Sequence, residues 1–286
     1  MSIAPAVVDW YRANARDLPW RRDGFGAWGI LVSEFMLQQT PVARVIPRLT
    51  DWLARWPTPA HLAAVPSGEA VRAWDRLGYP RRALRLHAAA TAIADRHDNV
   101  VPSDVDDLLA LPGVGDYTAR AVAVFAYGSR HPVVDTNVRR VIARAVEGDA
   151  EAGPPSRRDL GAMEVLLPED LPSAAAFNAG MMELGAVLCV ARSPRCDACP
   201  LLDSCAWRGA GYPRFDGLTK PRQKKYEGSD RQVRGRILAE LRVADIPVTL
   251  AELHTVSTDA AQSARALAGL VADGLAVAVE GGYALP

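Results

Sequence analysis

Residues 111–122 read LPGVGDYTARAV, and the two glycines in that stretch decide what kind of fold surrounds it. Gly113 and Gly115 let the backbone turn sharply between two helical patterns. One helix is expected to begin at Asp106 or Asp107, and a second to open near Asp116. Backbone N–H groups freed at the second helix start point outward and are able to hold a phosphate. A Gly-x-Gly pair alone describes many ordinary helix-to-helix turns. Apolar Leu111 and Val114, anchoring the turn from within, favour a built hairpin.

Working outward, helical signals dominate. Residues 173–191, SAAAFNAGMMELGAVLCVA, are rich in Ala and Leu with Gly punctuation. Val7, Trp10, Tyr11 and Asn14 fall at helical spacing, and no apolar leader precedes them. Period-two alternation hardly appears before LAVAVEGGYALP at 275–286, which has the pattern of a small hairpin. Residues 209–229, GAGYPRFDGLTKPRQKKYEGS, carry Gly, Pro and charge without an apolar stripe, as a linker does. No internal repeat stands out, and no apolar run reaches membrane-spanning length. The chain therefore reads as soluble and cytoplasmic. Its 286 residues allow two domains with an appendage. Its 33 basic and 33 acidic residues cancel, so charge alone predicts no nucleic-acid partner, although a local basic face is all such a partner needs.

All four cysteines lie between Cys189 and Cys205, with Cys196 and Cys199 between them. A disulfide framework belongs to small secreted domains, and this chain is long enough to build a core without one. Structural zinc usually takes two close pairs, and only Cys196 and Cys199 make such a pair. One compact loop with four thiolates better suits a cubane cluster, whose irons each take one cysteine. Zinc and incidental thiols stay open on spacing alone.

With its cysteine loop and hairpin together, the chain resembles the helix-hairpin-helix DNA glycosylases that carry a four-iron cluster. Within them it is similar to the adenine DNA glycosylases, above all their actinobacterial members. The resemblance runs from about Val7 to Trp207. It rests on LPW at Leu18, SEFMLQQT at Ser33, LGYPRRALRLHAAA at Leu77, LPGVGDYTARAV at Leu111, VVDTNVRRV at Val133 and the cysteines. It implies an all-α fold: a six-helix barrel domain with the hairpin over 22–130, and an iron–sulfur domain from 1–21 plus 131–208. The linker at 209–228 and a winged-helix-like module at 229–286 follow. One [4Fe-4S] cluster on Cys189, Cys196, Cys199 and Cys205 is implied as cofactor. The implied partner is double-stranded DNA carrying adenine mispaired with 8-oxoguanine or guanine, met by a monomer at the bacterial nucleoid.

Breaking an N-glycosidic bond to adenine needs a proton delivered to the base and negative charge beside the sugar. Glu34 and Asp135 are the matching carboxylates. Glu34 lies in the otherwise apolar ILVSEFML, where burial would keep it protonated as an acid. Asp135 precedes TNVRRV, and a helix start there would favour its ionised form. In related bifunctional enzymes a lysine after the hairpin glycines attacks the sugar; here that position is Tyr117, which cannot form an imine. The expectation is base removal without strand cleavage, with Tyr117 near Asp135 and Asn137 assisting.

Other roles follow from the resemblance. Gln39 and Thr40 match lesion-side contacts, and Tyr79 matches an aromatic wedge that replaces stacking lost on base flipping. Arg16, Leu18, Trp20 and Arg21 match the entrance of the adenine pocket. Gly113 and Gly115 match the phosphate-holding turn, and Arg139 and Arg140 support a helix or a phosphate. Three departures matter: Ala179 replaces a usual Gln or Glu facing adenine, Pro80 replaces a second tyrosine, and only a short module stands where relatives carry a lesion-recognising domain. The basic run Lys220, Arg222, Lys224 and Lys225 is either a plain linker or a backbone-tracking arm. A thymine-mismatch glycosylase and an iron–sulfur DNA-binding regulator are the competing functions. Glu34 and Asp135 speak against the regulator, and MLQQT speaks for adenine.

Overall fold

The computed structural model describes residues 2–217 and 226–286; Lys220, Arg222, Lys224 and Lys225 lie outside the described residues. In chain order the helices are α1 (Ala4–Asn14), α2 (Ala27–Leu37), α3 (Val42–Arg55), α4 (Pro59–Ala63), α5 (Ser67–Trp74), α6 (Arg81–Arg96), α7 (Val105–Leu109) and α8 (Asp116–Tyr127). They continue with α9 (Thr136–Ile142), α10 (Arg158–Leu166), α11 (Leu171–Val187), α12 (Ala206–Gly209), α13 (Asp230–Val243), α14 (Leu250–His254) and α15 (Ala260–Ala272). A hairpin of β1 (Val277–Val279) and β2 (Gly282–Ala284) closes the chain. No helix among the described residues is long and apolar enough to cross a membrane.

The chain divides into two compact units. One comprises Met1–Ala27, Ser103–Asp106 and Gly115–Pro221; the other comprises Trp28–Pro102, Asp107–Val114 and Arg222–Pro286. The division passes through the hairpin, so α8 belongs with the cysteine loop and Gly113 with α2 to α6.

In the first unit, α1 lays Val7 and Val8 against Phe177, Met181 and Leu184 of α11, and Val138 and Val141 of α9 complete that core. Removing such side chains from water is the main stabilising term. A close approach of α9 to α11 depends on Gly185: a Cβ there would stand 2.7 Å from Asn137 Cβ and 2.9 Å from its carbonyl oxygen. In the second unit, α2 is buried on almost every side, which is why its sequence is apolar without a polar stripe. Trp52 packs edge-on against Trp56 and Trp74, at 4.7 and 5.7 Å between ring centres.

The second unit also holds the C-terminal module. Three helices, α13 to α15, precede the antiparallel pair β1–β2, and Val248 bridges to Tyr283 as a third strand position. That order is the one a winged-helix-like module would have. Asp259 caps α15 by accepting the Gln262 N–H at 3.0 Å, and Thr249 and Glu252 form a reciprocal capping box on α14. Arg72 of α5 donates to the carbonyls of Arg242 and Ala244, Arg242 donates to Val71, and Asp273 pairs with both Arg81 and Arg234. The outward face of α15 carries Ala261, Ala264 and Ala268 with Arg265 as its cation.

Two local expectations are corrected. The first hairpin helix starts at Val105 rather than at Asp106 or Asp107, because the Asp104 carboxylate accepts the Asp106 N–H at 2.8 Å and takes the turn position. Residues 209–213 are not free linker: Trp207 Nε1 donates to the Pro213 carbonyl at 2.9 Å, and Tyr212 packs edge-on against Trp207.

Candidate active site

One of the two hairpin glycines makes the sharp turn and the other does not. Gly113 sits at φ +79°, and a Cβ there would strike Arg85 Cβ at 2.6 Å. Gly115 has an ordinary φ of −106° and opens α8, with nothing within 4 Å of where a Cβ would stand. The open space lies at the start of a helix, where unpaired N–H groups favour an anion.

Asp135 caps α9. Its Oδ1 accepts the Val138 N–H at 2.7 Å and its Oδ2 accepts Asn137 Nδ2 at 2.8 Å. The helix start does not by itself keep the group ionised, however. Burial lifts the Asp135 carboxyl above the usual aspartate range, and the bonds from Val138 and Asn137 with the charge of Arg140 pull it only part of the way back. Asn137 is held in turn by Arg140, whose Nη2 donates to Asn137 Oδ1 at 2.8 Å and to the Gly185 carbonyl at 2.7 Å. Arg140 Nε reaches the Cys189 carbonyl at 2.7 Å. One hydrogen-bonded path thus joins the first cysteine to Asp135. Arg139 has another task, pairing with Asp159 in a buried contact at 2.7 Å. Tyr117, half-buried on α8, packs against the cluster formed by Ala121, Val124 and Val133, two residues before Asp135.

The four cysteines line one cavity with Arg144, Arg195, Trp207 and Arg208. Among the described residues no three metal-binding side chains converge on a single ion. Four thiols lining one cavity fit a cubane, whose irons each take one cysteine. Burial pushes the Cys189 thiol up and Cys199 up to about 11, so both need a positive partner to ionise. Arg144 supplies part of that charge, with Nη1 3.5 Å from Cys189 Sγ, 2.8 Å from the Val190 carbonyl, and its guanidinium 4.7 Å from the Trp207 ring centre. When bound, the cluster ties four points of this loop into one rigid piece.

Arg16 and Arg21 converge on a residue the sequence reading passed over. Glu183 of α11 is 1% exposed and accepts Arg16 Nε at 2.6 Å, Arg16 Nη2 at 2.7 Å and Arg21 Nη2 at 2.9 Å. The two guanidiniums hold its carboxyl down at about 2 against the cost of burial. Leu18 is buried, whereas Trp20 stays half-exposed. A lone Glu in a helix with no other charged residue was the available signal. Its partners lie more than 160 residues away.

In the second unit, Glu34 is 5% exposed on α2. Gln39 is exposed at φ +55°, and Tyr79 is 51% exposed at φ +46°. Thr40 is buried, and its hydroxyl donates to the Leu77 carbonyl at 3.1 Å.

Residues 32–158 match the HhH-GPD superfamily of base excision DNA repair proteins, and residues 189–205 match the iron–sulfur binding domain of endonuclease III. The cofactor is accordingly a [4Fe-4S] cluster. The chain is 57% identical to the adenine DNA glycosylase of Mycobacterium tuberculosis over 283 residues, 98% of this chain and 92% of that one. It is 35% identical to the thymine/uracil-DNA glycosylase of Pyrobaculum aerophilum over 203 residues, 70% of this chain and 88% of the relative. The solved structure of a thermostable thymine-DNA glycosylase superposes with a TM-score of 0.66 at 26% identity, covering 73% of this chain and 95% of the other. Its near-full-length identity, its hairpin and its four-cysteine loop together establish that the chain belongs to the adenine DNA glycosylases of the helix-hairpin-helix base excision repair superfamily.

Proposed function

We propose that this glycosylase removes adenine mispaired with 8-oxoguanine or guanine, and that it does so without cleaving the strand. The observation that carries the reading is the pair of differently held carboxyls: Glu34 inside an apolar helix, and Asp135 at a helix start with both oxygens engaged. Glu34 delivers a proton to the departing base. Asp135 stands for the negative charge that the oxocarbenium ion requires, and Asn137 fixes its orientation. Tyr117 takes the place of an imine-forming lysine. Gly113 and Gly115 present α8 to a phosphate, Tyr79 wedges the stack, and Gln39 faces the lesion side. Arg16, Leu18, Trp20 and Arg21 form the pocket entrance, where adenine is read without a side-chain amide or carboxylate at Ala179. All these groups lie on one chain, so a monomer suffices.

Single-turnover excision on duplexes with adenine opposite 8-oxoguanine, guanine and cytosine, beside a thymine–guanine duplex, tests this reading. Adenine release opposite 8-oxoguanine and guanine is expected, with strands intact until alkali is added. Faster release of thymine would move the chain to the thymine branch, and a borohydride-trapped enzyme–DNA adduct would overturn strand-sparing hydrolysis.

The carboxyl of Asp135 makes a second measurement informative. Asn137→Ala removes a hydrogen bond that stabilises the ionised form, so the Asp135 proton becomes harder to lose. The acid limb of the single-turnover pH profile is expected to move to higher pH in Asn137→Ala. An unmoved limb would separate Asp135 ionisation from the rate.

A further inference from the structure

Arg82 is a buried cation held entirely by neutral groups. It sits in the first turn of α6 and is 5% exposed. Its Nη1 donates to the carbonyls of Phe35 and Met36 at 2.7 and 3.0 Å. Its Nη2 donates to the Gly78 carbonyl at 2.9 Å and to the Thr40 hydroxyl at 3.0 Å, with the Leu77 carbonyl at 3.4 Å. The ring centres of Trp74 and Tyr79 stand 5.1 and 5.7 Å from its guanidinium carbon. Burial lowers its pKa to about 10, which leaves it charged at neutral pH.

Burying a charge without an ion partner is costly, and a Met or Leu would fill the same space more cheaply. What an apolar residue lacks is the fork. Phe35 and Met36 lie in the last turn of α2, where carbonyls have no partner within the helix and the dipole is negative. Leu77 and Gly78 belong to the turn that leads into α6. Arg82 therefore joins two loops that are separate in sequence, and the Thr40 hydroxyl bridges them a second time through Leu77.

Each loop carries an exposed non-glycine residue in the left-handed region, Gln39 in one and Tyr79 in the other. Such conformations persist only where the surroundings over-determine them. Pro80, which has no N–H and a fixed φ, follows Tyr79 directly and sets where α6 begins.

We propose that Arg82 is a positioning residue that locks Gln39 and Tyr79 into one rigid edge for reading the mismatch. The inference rests on the reading of those two residues as duplex contacts. Lysine keeps the charge but offers a single head that cannot span both loops as a planar fork does. Arg82→Lys thus separates positioning from charge.

The readout is the ratio of binding constants for a matched duplex and for one with 8-oxoguanine opposite a non-hydrolysable 2′-fluoro-adenosine. It is measured on the cluster-loaded protein, with the cluster absorbance and unfolding temperature followed in parallel. Arg82→Lys is expected to lower the ratio about tenfold, the size of one coupled contact, while matched-duplex binding holds. Tyr79→Ala and Gln39→Ala are each expected to lower the ratio as well, and Arg82→Lys to lower it no further in a variant that lacks both. Additive losses, or a ratio that falls only in step with the unfolding temperature, would reduce Arg82 to a packing residue. Should Arg82→Lys lose its cluster, Thr40→Val, which removes the second bridge without touching charge, must lower the ratio in the same direction. A ratio lost in Tyr79→Ala but kept in Arg82→Lys and Thr40→Val overturns the role of Arg82 alone. A ratio kept in both Tyr79→Ala and Gln39→Ala removes the contact reading itself, and the positioning role with it.

Discussion

Glu34→Gln is expected to fold, to take up its cluster and to bind the mismatched duplex, yet to lose adenine excision by roughly 10²–10⁴-fold, the usual contribution of a positioned general acid. The amide is close to the carboxyl in shape, so α2, which is buried on almost every side, keeps its packing. It still donates and accepts hydrogen bonds. What it cannot do is give up a proton as the bond to the sugar breaks. The loss should therefore fall on the single-turnover rate and not on binding, the pattern of an interaction made only in the transition state. Near-parental single-turnover excision by Glu34→Gln would remove Glu34 from the chemistry. A weakened duplex affinity at full rate would recast it as a contact for the flipped base.

The features legible in the sequence are those whose cause is local. Gly113 announces the hairpin because its turn position, at φ +79° against Arg85, leaves few residue types free to make it, whereas Gly115 is extended and open. The cysteines announce a metal centre because their crowding has no structural use as disulfides. Asp259 and the alternation in LAVAVEGGYALP mark the winged-helix-like module through capping and strand period, both short-range signals. Illegible features depend on distant parts of the chain. Arg144 looks like one more arginine in a helix until the cysteine loop folds over it. Gly185 looks like a helix defect until α9 packs so closely that a Cβ there would stand 2.7 Å from Asn137 Cβ. Thr40 has partners that no local pattern announces, since its hydroxyl bonds Leu77 and Arg82 within the protein. Asp135 shows a subtler limit. A helix start is visible in sequence, whereas the burial that outweighs it is not.

Glu183 is the most distant of these, and its removal is expected to have the largest effect on stability. Glu183→Gln leaves two guanidiniums, Arg16 and Arg21, without the charge that balances them, around a side chain that is otherwise fully enclosed. Breaking a fully buried pair costs about 3–5 kcal/mol, but Arg16 keeps 40% and Arg21 20% of its side chain exposed. The loss is therefore discounted to about 1–3 kcal/mol, an apparent unfolding temperature lower by roughly 2–12 °C. The lowered carboxyl pKa gives an independent figure. A group moved from 4.5 to about 2 contributes on the order of 3 kcal/mol. Because the folded value is the lower one, that contribution is fully present above about pH 4.5 and is lost as pH falls toward 2. The stability gap between parent and Glu183→Gln should therefore be constant from neutral pH down to about 5, and narrow below it. Circular dichroism melts across that range read both quantities. Glu183→Asp, which keeps the charge on a shorter arm, should recover part of the loss. Equal melting temperatures for parent and Glu183→Gln at pH 7 would mean that Arg16 and Arg21 hold the segment from 15 to 22 without their shared carboxylate.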